Sequence, residues 1–241
     1  MIYASLNDMF KDRLDAANQL AEKLTNHPNI KSINNNDILV LSIPRGGVPI
    51  GDVIARKLNC DHQVIISKKL GSPNQSELAI GAIAENSPPF LNQDLIDRLG
   101  ISRNYLDREI TNVRQKIRSY QTKFRQGRSL SQLLPKIKVI LLVDDGLVTG
   151  ETMKACIKWL KSKSQEHSDK TNNPKPSSLS PKQFIVAVPV SSRDTAEEIR
   201  PLVDHFICPN IPDDFFALSQ FYQNFPQVTD EQVIKLLAFR N

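Results

Sequence analysis

Cysteine is scarce in this chain. There are three in 241 residues, Cys60, Cys156 and Cys208, far apart and odd in number. That count and spacing argue against a disulfide framework or a zinc cluster and point to a reducing compartment. Each thiol reads as a small buried apolar residue rather than a nucleophile. Histidine is equally sparse: His27, His62, His167 and His205 have no metal-ligand spacing. No protein ligand set for a metal is therefore expected. No stretch approaches the roughly 18 apolar residues of a membrane-spanning helix. The opening MIYASLNDMFKDRLDAANQL carries charges where a signal peptide would be apolar, so a cytoplasmic location without membrane contact is expected. There is no internal repeat.

What remains is ordinary for a globular chain, with 40% hydrophobic and 24% charged residues. That is enough for a large core without covalent staples. The net charge of +5 is uneven. Residues 103–128 hold eight basic side chains against Asp107 and Glu109. Such a segment can face nucleic acid or flank a polyanionic small ligand, and the few aromatics within it (Tyr105, Tyr120, Phe124) favour the second.

Five apolar runs read as strands: residues 37–43, 63–67, 138–143, 184–190 and 205–209. They are continuous rather than alternating, as in strands covered on both faces. Helical patterns at 48–58, 152–161 and 192–202 follow three of them. The alternation predicts an α/β fold, a parallel Rossmann-like sheet flanked by helices. Further helices are predicted at 6–24, 104–124 and 229–239, the last capped by Thr229. Residues 162–182, rich in Ser, Asn, Pro and Lys, read as a disordered surface insertion. The expected organisation is a core over 1–208, with a helical insertion at 90–130, and a small hood with a closing helix over 209–241.

Ligands of open parallel sheets gather beyond the carboxyl ends of the strands, where three loops are placed. The first follows VILLV and reads DDGLVTGET, residues 144–152. Adjacent carboxylates repel each other, so a pair that ends a buried strand needs a partner. Asp144 and Asp145 can accept hydrogen bonds from a sugar diol. The helix start after Thr149, Gly150, Glu151 and Thr152 offers free N–H groups to a phosphate. A Walker loop requires Gly-Lys-Ser/Thr, which is absent; a haloacid-dehalogenase loop requires an aspartate where Gly146 stands. A receiver domain requires a phospho-accepting aspartate after a later strand, and that strand ends in Pro and Val. A dinucleotide fingerprint is also missing. The second loop, SIPRGGVPIG at 42–51, has Arg45 for phosphate oxygens, with Gly46 and Gly47 to permit an unusual backbone. The third, SKKLGSPNQSELAIGAIAE at 67–85, carries Lys68 and Lys69 at its start.

DDGLVTGET resembles the phosphoribosyl-diphosphate (PRPP) motif of the type I phosphoribosyltransferases: apolar strand, two acids, three variable residues, Thr-Gly-x-Thr. The likeness runs over nearly the whole chain, with a subgroup of predicted phosphoribosyltransferases that share FKDRLDAANQLAEKL, KLGSPNQSELAIGAIAE and FFALSQFYQNFPQVTDEQV. It implies a small hood on the core. It also implies transfer of ribose 5-phosphate from PRPP to a nitrogenous small-molecule acceptor, with magnesium carried mainly by PRPP. Asp144 and Asp145 would hold the ribose hydroxyls and stabilise charge in the transition state, and Val148 to Thr152 would cradle the 5-phosphate. Arg45, Gly46 and Gly47 would bind diphosphate, often beside a non-proline cis peptide, for which Arg45–Gly46 is the candidate here. The third loop would close as a lid, with Lys68 or Lys69 on the diphosphate and Gly71, Pro73, Asn74 and Glu77 within it. Members that act on 6-oxopurines usually carry aspartate where this chain has Val148, which argues against hypoxanthine or guanine. Phe215 or Phe216 of the hood would stack on the acceptor. A homodimer is the expected assembly. The alternative is a PRPP-sensing regulator that uses its basic helix on nucleic acid.

Overall fold

The structure, a computed structural model, describes residues 9–73, 75, 78–125, 130–166 and 183–238. Its centre is a five-stranded parallel sheet in the order β2-β1-β6-β7-β8. The strands are β1 (Ile38–Ser42), β2 (Asp61–Val64), β6 (Val139–Val143), β7 (Gln183–Ala187) and β8 (His205–Ile207). β1 and β6 are buried at every position. Ile38, Val40, Val139, Leu141 and Val143 face one cluster, and Leu39, Leu41, Ile140 and Leu142 face the other. That is why these runs are continuous rather than alternating.

The first cluster is closed by α1 (Arg13–Thr25) and α3 (Gly47–Leu58), with the short α2 (Pro28–Lys31) beside them. The second is closed by α6 (Glu151–Glu166). Helix α7 (Arg193–Ile199) leads to β8. The predicted helix at 6–24 begins later, because Asp12 caps it by accepting from the N–H groups of Leu14 at 2.8 Å and Asp15 at 2.9 Å. Residues 162–166 belong to α6 rather than to a loop. The remainder of the predicted insertion, 167–182, lies outside the described residues, as do 6–8, Asn74, Glu77, Arg128 and Phe239.

The run at 63–67 divides. Asp61 to Val64 pair with β1, and the chain then leaves the sheet to start a second one. That sheet is antiparallel, β3 (Ser67–Gly71), β4 (Ala79–Ala84) and β5 (Phe90–Leu91) in that order. Residues 67–85 are thus mostly a hairpin, not the loop expected. Helices α4 (Gln93–Arg98) and α5 (Arg103–Arg125) follow it, and α8 (Asp230–Ala238) packs on the same side. Val113, Ile117 and Phe124 of α5, Ile80 and Ile83 of β4 and Val233 of α8 form this third cluster. A buried ion pair between Arg125 and Glu85, 3.0 Å apart, ties the end of α5 to the end of β4. Among the described residues no helix is long and apolar enough to cross a membrane.

Candidate functional site

The strand order reverses between β1 and β6. The chain runs from β1 outward to β2 on one side, and later from β6 outward to β8 on the other. The loops after these two strands diverge and leave a crevice at their carboxyl ends, the usual ligand position in such sheets. Ser42 pairs with Val143, and the Ile43 N–H donates to the Val143 carbonyl at 2.9 Å. Arg45-Gly46-Gly47 and Asp144-Asp145 therefore begin at the same level.

The two loops touch. A Cβ on Gly46 would lie 2.0 Å from Asp145 Oδ2, and one on Gly47 would lie 2.7 Å from the Val143 carbonyl oxygen. Gly46 has ordinary helical angles, φ −61 and ψ −34. Its glycine is needed for room, not for the unusual backbone expected from the sequence. The non-proline cis bond is Pro44–Arg45, one residue before the expected Arg45–Gly46.

Asp145 is 8% exposed, and Asp144 is half-buried. The Asp145 N–H donates to Asp144 Oδ1 at 2.9 Å. Arg13 Nε donates to Asp145 Oδ2 at 2.8 Å, and Arg13 Nη1 donates to the Pro226 carbonyl at 2.7 Å. The guanidinium also stacks over Phe225, 3.8 Å from the ring centre. Burial pushes Asp144 well above the usual carboxylate range, and the Asp145 charge pushes it further. Burial raises Asp145 as well, but Arg13 opposes that rise. Asp144 is raised further than Asp145, because Asp145 has Arg13 beside it and Asp144 faces the Asp145 charge. The Tyr222 hydroxyl donates to the Asp145 carbonyl at 2.6 Å. Tyr222→Phe leaves that buried acceptor unpaired, and urea unfolding is expected to show a loss of about 1–3 kcal/mol.

After the acids the chain turns into α6. Gly150 takes a left-handed φ of +67, which admits few other residues. The Val148 carbonyl accepts from Ser192 Oγ at 3.0 Å and from Thr195 Oγ1 at 2.6 Å. These bonds fix the loop, so its N–H groups and those of the first turn of α6 form a preset cradle. Thr149 is exposed and Thr152 half-buried. The Glu151 carboxylate turns away along the helix to accept from Lys154 Nζ at 2.9 Å.

Lys68 and Lys69 lie inside β3 rather than in a lid, and β-strand alternation sends them to opposite faces. Lys68 is half-buried, with its ammonium 4.2 Å from the centre of the Tyr120 ring. Burial lowers its pKa, and repulsion from Arg45 lowers it further. Lys69 is exposed, so Lys68 is the lysine brought to Arg45.

Residues 209–228 cross back over the strand ends. A Cβ on Gly146 would meet Leu218 Cδ1 at 2.2 Å, so glycine there lets this segment settle beside Asp145. Phe215 packs against Phe221 with ring centres 4.8 Å apart, and Phe216 is 86% exposed. The two candidates for stacking thus separate into a packed ring and a free one.

Three contributors were not visible in the sequence: Arg13, Tyr222 and Asp230. Asp230 opens α8 and lies 3.5 Å from Arg45 Nη1. Each is a long-range partner, and although all three lie in segments that carry the resemblance, FKDRLDAANQLAEKL and FFALSQFYQNFPQVTDEQV, the sequence assigns them no role. The early position of Arg13 beside a capping Asp12 carries no signal of its own.

A family model described as phosphoribosyl transferase domain matches residues 7–225. A protein of Mycobacterium tuberculosis strain H37Rv, provisionally named a phosphoribosyl transferase, is 32% identical over 229 residues. That match covers 95% of this chain and 46% of the relative, so the chain spans about half the relative's length. The crystal structure of TT1426 from Thermus thermophilus is similar at 30% identity and a TM-score of 0.68, covering 96% of this chain and 99% of that one.

Proposed function

The chain belongs to the phosphoribosyl transferase family, and from that premise we propose that it binds PRPP between the loops after β1 and β6 and transfers ribose 5-phosphate to a nitrogenous acceptor. The observation that carries the reading is the contact of the Arg45-Gly46-Gly47 loop with the Asp144–Asp145 pair at the switch point of the sheet. A diol acceptor, a cationic loop and a helix-start cradle lie side by side there.

The 5-phosphate takes the N–H groups of residues 149–152 and the hydroxyls of Thr149 and Thr152. Asp145 accepts from one ribose hydroxyl. Asp144 accepts from the second hydroxyl, and hydrogen bonds to the charged form of the carboxyl favour that form. Arg45 and Lys68 take the diphosphate. The acceptor nitrogen attacks the anomeric carbon, and the bond to the diphosphate oxygen breaks with its electron pair on the oxygen. The acceptor's proton passes to solvent. Positive charge grows on the ribose between these events, next to the two carboxylates, where it is stabilised most. The carboxylate and phosphate oxygens at the site suit magnesium, which would be held mainly by PRPP, and the half-buried Asp144 would be the residue to meet it. Bound magnesium would draw charge from the leaving diphosphate.

Residues 209–228 serve as the hood in this reading, with the exposed Phe216 as the ring free to stack on an acceptor. Val148 is 43% exposed at the loop and has no proton to exchange with a purine. The test is incubation with PRPP, magnesium and a pool of nucleobases and amines, read by mass spectrometry. A ribosyl phosphate adduct on an acceptor other than hypoxanthine or guanine is expected. Unchanged PRPP and no adduct with any member of the pool would count against transfer.

A further inference from the structure

The diphosphate end of the site already holds a carboxylate. Asp230, the first residue of α8, lies 3.5 Å from Arg45 Nη1 through Oδ1 and 2.5 Å from Lys123 Nζ through Oδ2. Oδ1 is buried and completes no hydrogen bond of ordinary geometry. Lys68 senses the same carboxylate, together with Arg45 and Lys116. Three cations, Arg45, Lys68 and Lys123, thus face one short acidic side chain from the loop after β1, from β3 and from α5. An acid in the first turn of a helix is common, because it complements the helix dipole. That accounts for Asp230 alone, but not for cations brought to it from three other elements. The 3.5 Å contact is beyond hydrogen-bond range, so the Arg45 fork is not saturated.

At the end of α5 two basic residues reach partners on other elements, while Arg103, Arg108, Arg114, Lys116 and Arg118 of the same helix are exposed. Lys123 pairs with Asp230, Arg125 is buried against Glu85, and Tyr120 lies under Lys68.

We propose that Lys123 is a further diphosphate-binding residue and that Asp230 holds the diphosphate's place in the free protein. This rests on the PRPP reading above. A diphosphate brings more charge and more acceptor oxygens than one carboxylate, so it outcompetes Asp230 for the same donors. The Lys123 and Asp230 side chains are 40% and 20% exposed, so their pairing is weak enough to exchange. Arg45 and Lys123 stand on separate elements, and the departure of Asp230 leaves both beside the same space.

Calorimetry at fixed ionic strength, with magnesium diphosphate, PRPP and ribose 5-phosphate in turn, tests this on four forms: wild type, Lys123→Gln, Asp230→Asn and Glu22→Gln. Glu22 is exposed on α1 and controls for a general change of charge. Lys123→Gln is expected to weaken diphosphate and PRPP about five- to tenfold and to leave ribose 5-phosphate unchanged. Asp230→Asn is expected to tighten diphosphate. If the wild type binds PRPP and ribose 5-phosphate but Lys123→Gln changes neither, this proposal fails alone. Weaker diphosphate binding in Asp230→Asn would also overturn it, since Asp230 would then support the site rather than occupy it. If the wild type binds neither PRPP nor ribose 5-phosphate, the PRPP reading fails and takes this one with it.

Discussion

Asp144→Asn with Asp145→Asn is expected to abolish magnesium-dependent PRPP binding in calorimetry. Each carboxylate is asked to accept a charge-assisted hydrogen bond from a ribose hydroxyl, a contact of about 1.5–3 kcal/mol, or roughly 10- to 150-fold in affinity. Two such losses in one small site remove detectable binding. The control lies in the titration of the pair. Both acids have raised values in the folded protein. A raised value contributes stability at acid pH that is lost as pH rises through it. At neutral pH the Asp144 carboxyl therefore weakens the fold, and Asp144→Asn alone is expected to melt no lower than the wild type. Weakened binding in Asp144→Asn alone, with an undiminished melting temperature, separates a functional effect from misfolding. Retained PRPP binding by the double variant would remove the acids from the site.

The second large effect is expected from Arg13→Gln. Arg13 is the cation paired with Asp145, where it opposes the rise caused by burial, and both side chains are 11% exposed. Without Arg13 the buried carboxylate is left uncompensated, a change that typically costs about 3–5 kcal/mol. The sign of the pH effect follows. Arg13 lowers Asp145 against the rise caused by burial, so its removal sends Asp145 higher. PRPP binding, which needs the charged form, then declines at a higher pH than in the wild type as the solution is acidified. Arg13→Lys keeps the charge but loses the fork that reaches Pro226 and the stack on Phe225, so rescue is partial. A binding profile with the same pH midpoint in wild type and Arg13→Gln would show that Arg13 has no part in the ionisation of Asp145.

The central sheet was legible because β1 and β6 are buried on both faces, and such strands announce themselves as unbroken apolar runs. The DDGLVTGET loop was legible because its chemistry is local: the acids, the left-handed Gly150 and the helix start lie within nine residues. Two errors came from local signals with more than one cause. AIGAIA lacks the β-branched and aromatic density of a typical strand, yet β4 pairs on both sides and is buried throughout. Gly46 reads as a backbone liberty, and only the neighbouring Asp145 shows that space is the constraint. The edge strand β2 begins with Asp61 and His62, polar residues that hid its start. The pairings of Arg13 with Asp145 and of Lys123 with Asp230 span 132 and 107 residues. No periodicity or motif encodes such separations; they exist only once the sheet has brought its loops together.

The most direct test is a crystal structure of the protein with PRPP and magnesium. The ribose hydroxyls are expected within hydrogen-bond distance of Asp144 and Asp145, with the 5-phosphate against the N–H groups of residues 149–152 and the diphosphate at Arg45. PRPP bound elsewhere on the protein, or bound here with its ribose hydroxyls turned away from both aspartates, would contradict the account.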